Sequence, residues 1–261
     1  MTTLHVPEGW TRRDVERELI DTPGGAWVPF DGLTAVERHD WRQLTCTRFP
    51  TGGLNEVSRS RLPEADADHV IDATLAHYAR LGLEFRWSVL PGTTPKDLGA
   101  RLAARGLVET RIVGMARSTE GALTERSSVT VERVDTLTVD AFTRVMCEGW
   151  GAPVGALGDY NRACLRDARH HLYLGLVDGE PAGTAAAVVF ERSVYLLGGV
   201  VLPRFRRRGV HRALTQRRLQ DARDRGVELA TTRAMAHTSA PLLAAQGWDS
   251  WFEFGSWAPP R

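Results

Sequence analysis

The densest chemistry in the chain lies around Gly209, where Arg204, Arg206, Arg207, Arg208 and Arg212 fall within nine residues. Guanidinium groups stay charged at any working pH and present a planar fork of donors, a pattern suited to phosphate oxygens. A glycine among them lets backbone approach an anion closely. Before this stretch Val194 to Leu202 form an apolar run that Pro203 ends, and after it Val210, Leu214 and Leu219 return with the spacing of a helix. The order is therefore strand, loop, helix. A helix that starts here aims its first, unbonded N–H groups and the positive end of its dipole at the loop, which makes the segment an anion site by position as well as by charge.

The strand that feeds this loop carries Gly198 and Gly199 side by side. Paired glycines weaken a strand, and the usual reasons for them are a bulge or the close approach of a ligand. Upstream, residues 171–177, a turn at Asp178-Gly179, residues 181–190 and residues 193–202 read as three successive antiparallel strands. Residues 129–134 alternate like a strand, and 138–150 read as a helix with Phe142, Val145 and Met146 on its apolar face. A glycine-rich loop is expected over 149–158 and a further helix over 159–168. Downstream come a strand over 227–233, a helix from Ser239 that closes at Gly247-Trp248, and an aromatic-rich end in alternating phase over 248–257.

The first half is organised differently. A short charged helix is expected over 11–20, broken by Pro23-Gly24-Gly25, with strands over 42–49, ended by residues 50–53, and over 55–61. Residues 63–83 carry Val70, Ile71, Leu75 and Tyr78 at helical spacing behind an acidic start, and Gly82 closes that helix. A strand over 85–90, a helix with Leu98 and Leu102 that Gly106 ends, and a strand over 107–116 follow. The polar segment 117–128 is the expected boundary, giving domains at 1–120 and 128–261.

The chain has 261 residues, ample for two domains, and its formal net charge of +1 gives no global field drawing it to nucleic acid or to an anionic membrane. The arginine run also lacks the aromatic platform that single-stranded nucleic acid calls for. Cys46, Cys147 and Cys164 have no metal-ligand spacing and point to free thiols, so neither a metal site nor a disulfide is expected. No leader-like or membrane-spanning stretch is present in these residues, and the expected location is cytoplasmic.

The series Arg206, Arg207-Arg208, Gly209, Val210, His211 resembles the pyrophosphate loop of the GNAT acetyltransferase superfamily, whose pattern is Gln or Arg, two residues, Gly, one residue, then Gly or Ala. His211 departs from the last position. The later Gly247-Trp248 is similar to the family's Gly-aromatic signature, and Phe85 to Val89 with Pro91, Pro95, Gly99 and Gly106 resembles the opening half of tandem members. The resemblance implies an α+β, mixed-sheet GNAT fold in two tandem domains, the first degenerate and without a cofactor loop. It further implies acetyl-CoA, or another acyl-CoA, as cosubstrate and a primary amine of a small molecule or peptide as acceptor. Gly199, Val200 and Val201, with Gly198 beside them, fall where the family pairs its backbone with the pantetheine arm. Arg206, Arg207, Arg208, Gly209, Val210, His211 and Arg212 fall where it holds phosphates, and the 149–158 loop where it borders the acceptor.

The family's thiolate-protonating tyrosine falls on Leu243, which has no proton to give. Tyr195, Ser239 and His237 are the polar groups available instead. Their plainer readings are a half-buried strand aromatic, a helix N-cap and a surface-loop residue. A second reading is accordingly an acyl-CoA-binding protein that has lost the chemistry. Neither the acceptor nor the oligomeric state follows from these residues.

Overall fold

The structure, a computed structural model, describes residues 6–28, 34–38, 43–47, 55–121, 128–152 and 154–260. The chain forms two compact units, each discontinuous in sequence. The larger comprises the described residues of Met1–Val28, Gly114–Ala234 and Ser239–Trp251; the smaller comprises those of Pro29–Val113, Met235–Thr238 and Phe252–Arg261. Relative to the expected halves at 1–120 and 128–261, the ends are exchanged: the first helix and the end of the fifth strand go with the larger unit, and the last strand runs into the smaller.

In the larger unit, α1 (Arg12–Gly25), β6 (Val129–Arg133), α4 (Val139–Trp150), α5 (Gly155–Cys164), β7 (His170–Val177), β8 (Glu180–Val189) and β9 (Ser193–Val201) lead to α6 (Val210–Arg223), β10 (Leu229–Met235) and α7 (Ser239–Ala244). β7, β8 and β9 form an antiparallel meander, with β6 on its outer edge. The turn between β7 and β8 has both Asp178 (φ 52°) and Gly179 (φ 82°) left-handed, the geometry whose twist matches a two-residue hairpin. α6 then crosses over to β10, which pairs with β9 in parallel.

The helix before the glycine pair Gly24-Gly25 is longer than the sequence predicts. α1 begins with a capping box between Thr11 and Asp14 and continues through Pro23 to Gly25. Pro23 has no N–H for the carbonyl of Leu19, but the Arg233 side chain donates to that oxygen at 3.4 Å and to the Ile20 carbonyl at 3.2 Å. The orphaned acceptor is thus satisfied from β10, and the helix need not end. The expected 149–158 loop is also shorter. α4 closes at Gly151, left-handed with φ 66°, and α5 begins at Gly155, not at 159. α5 is held on α4 by the buried Asn161, which donates to Thr143 Oγ1 at 3.0 Å, and by the Arg162–Asp140 pair at 2.7 Å.

In the smaller unit β1 (Thr34–Arg38), β2 (Gln43–Thr47) and β3 (Glu56–Ser58) form an antiparallel meander. α2 (Ala67–Leu81) then leads to β4 (Arg86–Val89), parallel to β3, and α3 (Leu98–Ala104) follows. β5 (Val108–Ser118) begins in this unit, and the end of β11 (Asp249–Ala258) pairs antiparallel with β4. The turn expected over residues 50–53 lies outside the described residues. The core gathers Val57, Ile71, Trp87, Leu98 and Leu102 around Tyr78 and Phe85, whose rings stack 4.3 Å apart.

The seat of α6 is built from two glycines. Gly175 on β7 and Gly183 on β8 are cross-strand partners, and an added Cβ would lie 3.2 Å from Val210 Cγ1 at the first and 2.9 Å at the second. At Gly183 it would also lie 2.7 Å from the Val200 carbonyl oxygen. Val210 and Leu214 therefore drop into a hollow that only glycine leaves open. We expect Gly183→Ala to destabilise the protein by about 1–3 kcal/mol, because backbone as well as side chain must move. Gly155→Ala, in a helix position that opens on empty space, should instead be neutral or stabilising by up to about 1 kcal/mol. Urea denaturation of both variants checks the contrast.

Candidate active site

β9 is zipped to both neighbours at its start and to one at its end. Its register with β10 runs Ser193↔Leu229, Val194↔Ala230, Tyr195↔Thr231 and Leu196↔Thr232 and goes no further, while its pairing with β8 continues to Val201↔Gly183. Thr232 Oγ1 donates to the Leu196 carbonyl at 2.8 Å, closing the last rung. Beyond it, alternate residues of β9 turn their N–H and C=O groups to the side that β10 has left.

At this point the ladder with β8 also slips. Leu197 pairs with Ala186 and Val200 with Thr184, so Gly198 and Gly199 stand opposite Ala185 alone. Gly198 is left-handed with φ 64°, as a bulge of this type requires, and the space beside Gly199 is open. Of the two reasons for a glycine pair, a bulge is present. On the α4 side Gly149 lies against Val200, where an added Cβ would meet Val200 Cγ2 at 2.2 Å.

The loop follows directly. Leu202 donates its N–H to the Ala182 carbonyl at 2.9 Å, residues Pro203–Phe205 make one tight helical turn, and Phe205 is buried beneath it. Arg207 (φ 63°) and Gly209 (φ 80°) are both left-handed. Such alternation of backbone hand curls successive N–H groups around one concavity. Arg207 stores roughly 1–2 kcal/mol of strain in that conformation.

Its arginines have different tasks. Arg204 pairs with Glu148 of α4 and Arg208 with Asp178 at 2.7 Å. Arg206 and Arg207 are exposed and, among the described residues, have no carboxylate partner. Two guanidinium groups are thus free beside the first turn of α6, where Val210 and His211 carry N–H groups that the helix cannot use. Arg212, in the same turn, is half-buried.

The His211 ring points away from the loop. Its Nδ1 lies 3.5 Å from Nε2 of Gln246, which also donates to the Leu242 carbonyl at 2.9 Å. Burial, with the Arg218 cation adding to it, holds the imidazole neutral with a pKa lowered to about 4. A side chain in place of the expected small residue is therefore accommodated against the end of α7. Gly247 ends that segment left-handed at φ 78°, and Trp248 is buried behind it.

Leu243 is buried and apolar, and its carbonyl accepts the N–H groups of Gln246 and Trp248. Tyr195 is half-buried on β9, one residue before the strands part, and shares a face with Ser193. Ser239 is the first residue of α7, and His237 is exposed in the segment Met235–Thr238, which belongs to the smaller unit. The three candidate proton carriers thus lie on a strand, a helix start and a loop.

The corresponding place in the smaller unit, between β3 and α2, is closed. Leu62 donates to the Thr94 carbonyl at 3.0 Å and Thr94 donates to the Ser60 carbonyl at 3.2 Å, so the backbone beyond β3 stays paired where β9 is open. Glu64, Asp66 and Asp68 gather at the start of α2 and would repel an anion there. Arg101 of α3 pairs with Glu64 and Asp68, and Arg105 with Asp68 and Asp72, so these two cations are engaged.

Three features of the site escaped the reading of the sequence: the glycine hollow, Gln246 and Arg218. Arg218 had a signal, since it falls at i+4 from Leu214 and i+8 from Val210 on the apolar stripe of α6. Among the described residues no cluster could hold a metal ion, and no helix is long and apolar enough to cross a membrane.

Comparison with known proteins joins these observations. Residues 133–248 match the model of the acetyltransferase (GNAT) family. A GCN5-related N-acetyltransferase from Kribbella flavida superposes with a TM-score of 0.66 at 14% identity, over 98% of this chain and 97% of that one. A conserved protein of unknown function from Staphylococcus epidermidis gives 0.68 at 11% identity, over 91% and 97%. A tandem GNAT protein from the clavulanic acid biosynthesis pathway gives 0.56 at 15% identity, over 94% and 87%. At these identities the likeness is one of fold, and it is the mixed-sheet GNAT fold in a two-domain arrangement. No curated protein matched the sequence.

Two histidines, buried His171 and half-buried His211, give the larger unit an acid limit. His171 on β7 is buried with its pKa lowered to about 4, chiefly by burial and then by the Arg133 and Arg225 cations; His211 is lowered similarly. The unfolded chain takes up these protons near the ordinary 6.5, so their contribution is complete above that pH and is lost as pH falls from there to about 4. Stability should be level near neutrality and decline across that window, and His171→Gln should flatten the decline. Chemical denaturation at stepped pH measures it.

Proposed function

We propose, from the match of residues 133–248 to the acetyltransferase (GNAT) family, that the protein binds acetyl-CoA, or another acyl-CoA, in the larger unit and transfers the acyl group to a primary amine of a small molecule or peptide. The observation that carries this reading is the open edge of β9 ending in a loop with two unpaired arginines at the start of α6. Acyl-CoA has the matching parts: an amide-bearing arm for the strand, a pyrophosphate for the loop, and a thioester that supplies an activated acyl group.

Each part of the site has a definite task in this reading. Gly199, Val200 and Val201 offer backbone groups to the pantetheine amides, with Gly199 leaving room for the approach. Arg206, Arg207 and the N–H groups of Gly209, Val210 and His211 hold the phosphates, with Arg208 and Arg212 adding charge and Arg208 tied to Asp178. A backbone N–H of Val200 or Val201 that faces the open side stabilises negative charge on a carbonyl oxygen. The acceptor amine attacks as the neutral base, so a group or a water chain must take its proton. Tyr195, Ser239 and His237 are the side chains proposed for proton handling. Leu243 contributes no proton, and a thiolate with an ordinary thiol pKa of roughly 8.5 can leave without one.

The smaller unit is proposed as a degenerate GNAT-like domain that holds no cofactor. Its order of meander, helix and parallel strand repeats that of β7 to β10, and its paired backbone and acidic helix start support the assignment. Leu243, buried and apolar, is the one observation that favours binding without turnover.

Calorimetric titration with acetyl-CoA and CoA tests the reading. Wild type should bind both in the micromolar range. Arg206→Gln with Arg207→Gln should weaken binding by about tenfold or more, and Gly209→Trp, which puts an indole at a left-handed position, should abolish it. Absence of binding by wild type would remove the acyl-CoA reading altogether. Binding without thiol release across a panel of primary amines would favour the non-catalytic alternative.

A further inference from the structure

Beyond its charge near His211, the buried Arg218 of α6 has no task yet in the site. It is 5% exposed, and among the described residues no carboxylate forms an ion pair with it. Instead its guanidinium is spent on neutral acceptors. Nη1 donates to the carbonyl oxygens of Ala186 on β8 at 3.1 Å and of Leu197 on β9 at 3.4 Å. Nε donates to the Leu214 carbonyl at 3.1 Å, and Nη2 to Thr215 Oγ1 at 3.3 Å.

The two strand carbonyls are those of the cross-strand pair Ala186↔Leu197, the last rung before the bulge. One nitrogen bridging both of them clamps β8 to β9 at the point where the ladder slips. Thr215 in turn donates to the His211 carbonyl at 2.9 Å. One guanidinium is therefore tied at one side to the rung beside Gly198-Gly199 and, through Thr215, at the other to the first turn of the helix that carries the phosphate loop. Arginine can do this because its donors are several and fixed in one plane; lysine offers a single point of charge.

We propose that Arg218 is a positioning residue which holds the β9 bulge in register with the start of α6, so that the strand groups meant for the pantetheine arm and the loop groups meant for the phosphates engage one cofactor together. This rests on the acyl-CoA reading above. It assigns to Arg218 the coupling between the two halves of the site and no contact with the cofactor.

The test compares CoA with adenosine 3′-phosphate 5′-diphosphate, which has the phosphates and lacks the pantetheine arm. Wild type, Arg218→Lys and Arg218→Met are titrated with both after a thermal melt confirms that each is folded, and Arg218→Ala is titrated with and without guanidinium ion at millimolar concentration. In the folded variants CoA should weaken by about tenfold while the nucleotide half changes by less than about twofold, and guanidinium should restore CoA affinity to the alanine variant. A purely structural arginine would weaken both ligands together or neither, and either result overturns the proposal. If the lysine and methionine variants do not fold, the alanine variant refolded with guanidinium decides it by the same ratio of affinities. Failure of wild type to bind CoA overturns the acyl-CoA reading and this inference with it, whereas wild-type binding with an unchanged ratio overturns this inference alone.

Discussion

Val210 can lie where it does only because the two residues beneath it, Gly175 and Gly183, have no Cβ. That close seat brings the first turn of α6 down onto the sheet beside the carbonyl of Val200. The loop from Pro203 to Gly209 then has no freedom to stand away from the strand, and its left-handed residues fold its N–H groups inward. A bulkier pair on β7 and β8 would lift the helix, and the anion site would come apart from the strand end. Packing at two glycines thus governs where charge is presented.

The second constraint is that β9 must leave backbone groups unpaired without coming loose. Buried polar groups without partners are costly, so an open strand edge persists only if everything around it is over-determined. Here β8 pairs with β9 on both sides of the bulge, Thr232 closes the last rung with β10, and Gly149 lets α4 pack against Val200. The smaller unit shows the other solution. Its parallel pair β3 and β4 is followed by backbone bonds between Ser60, Leu62 and Thr94, and carboxylates occupy the helix start. Similar topology, with the edge closed and the charge reversed, leaves nothing for an anionic ligand.

Much of this was legible in the sequence because it is local. The arginine loop, the glycine pair that forms the bulge, the Asp178-Gly179 turn and the apolar faces of α2, α4 and α6 follow from residue types at short spacing. What was not legible depends on distant partners. Pro23 reads as a helix breaker, and only the Arg233 side chain, supplied from β10, lets α1 continue. The start of α5 at a glycine reads as loop until Asn161 and Arg162 find α4. The exchange of chain ends between the two units is a matter of where β5 and β11 run, which no local pattern records.

Arg218 illustrates the same limit at the site. On a helical wheel Arg218 falls in line with Val210 and Leu214, but nothing local says what its charge would meet. In the fold it is buried, and burial lowers its pKa to about 10, which still leaves it charged at neutrality. A buried charge without a carboxylate is tolerable only where dipoles replace water, and here carbonyls of two strands and of its own helix, with one hydroxyl, do so. The bulge needs donors for carbonyls at the edge of a slipped ladder, and the arginine needs acceptors in a place without water. Each satisfies the other. The helix face that anchors the phosphate loop and the strand irregularity that opens the site are therefore parts of one hydrogen-bonded unit.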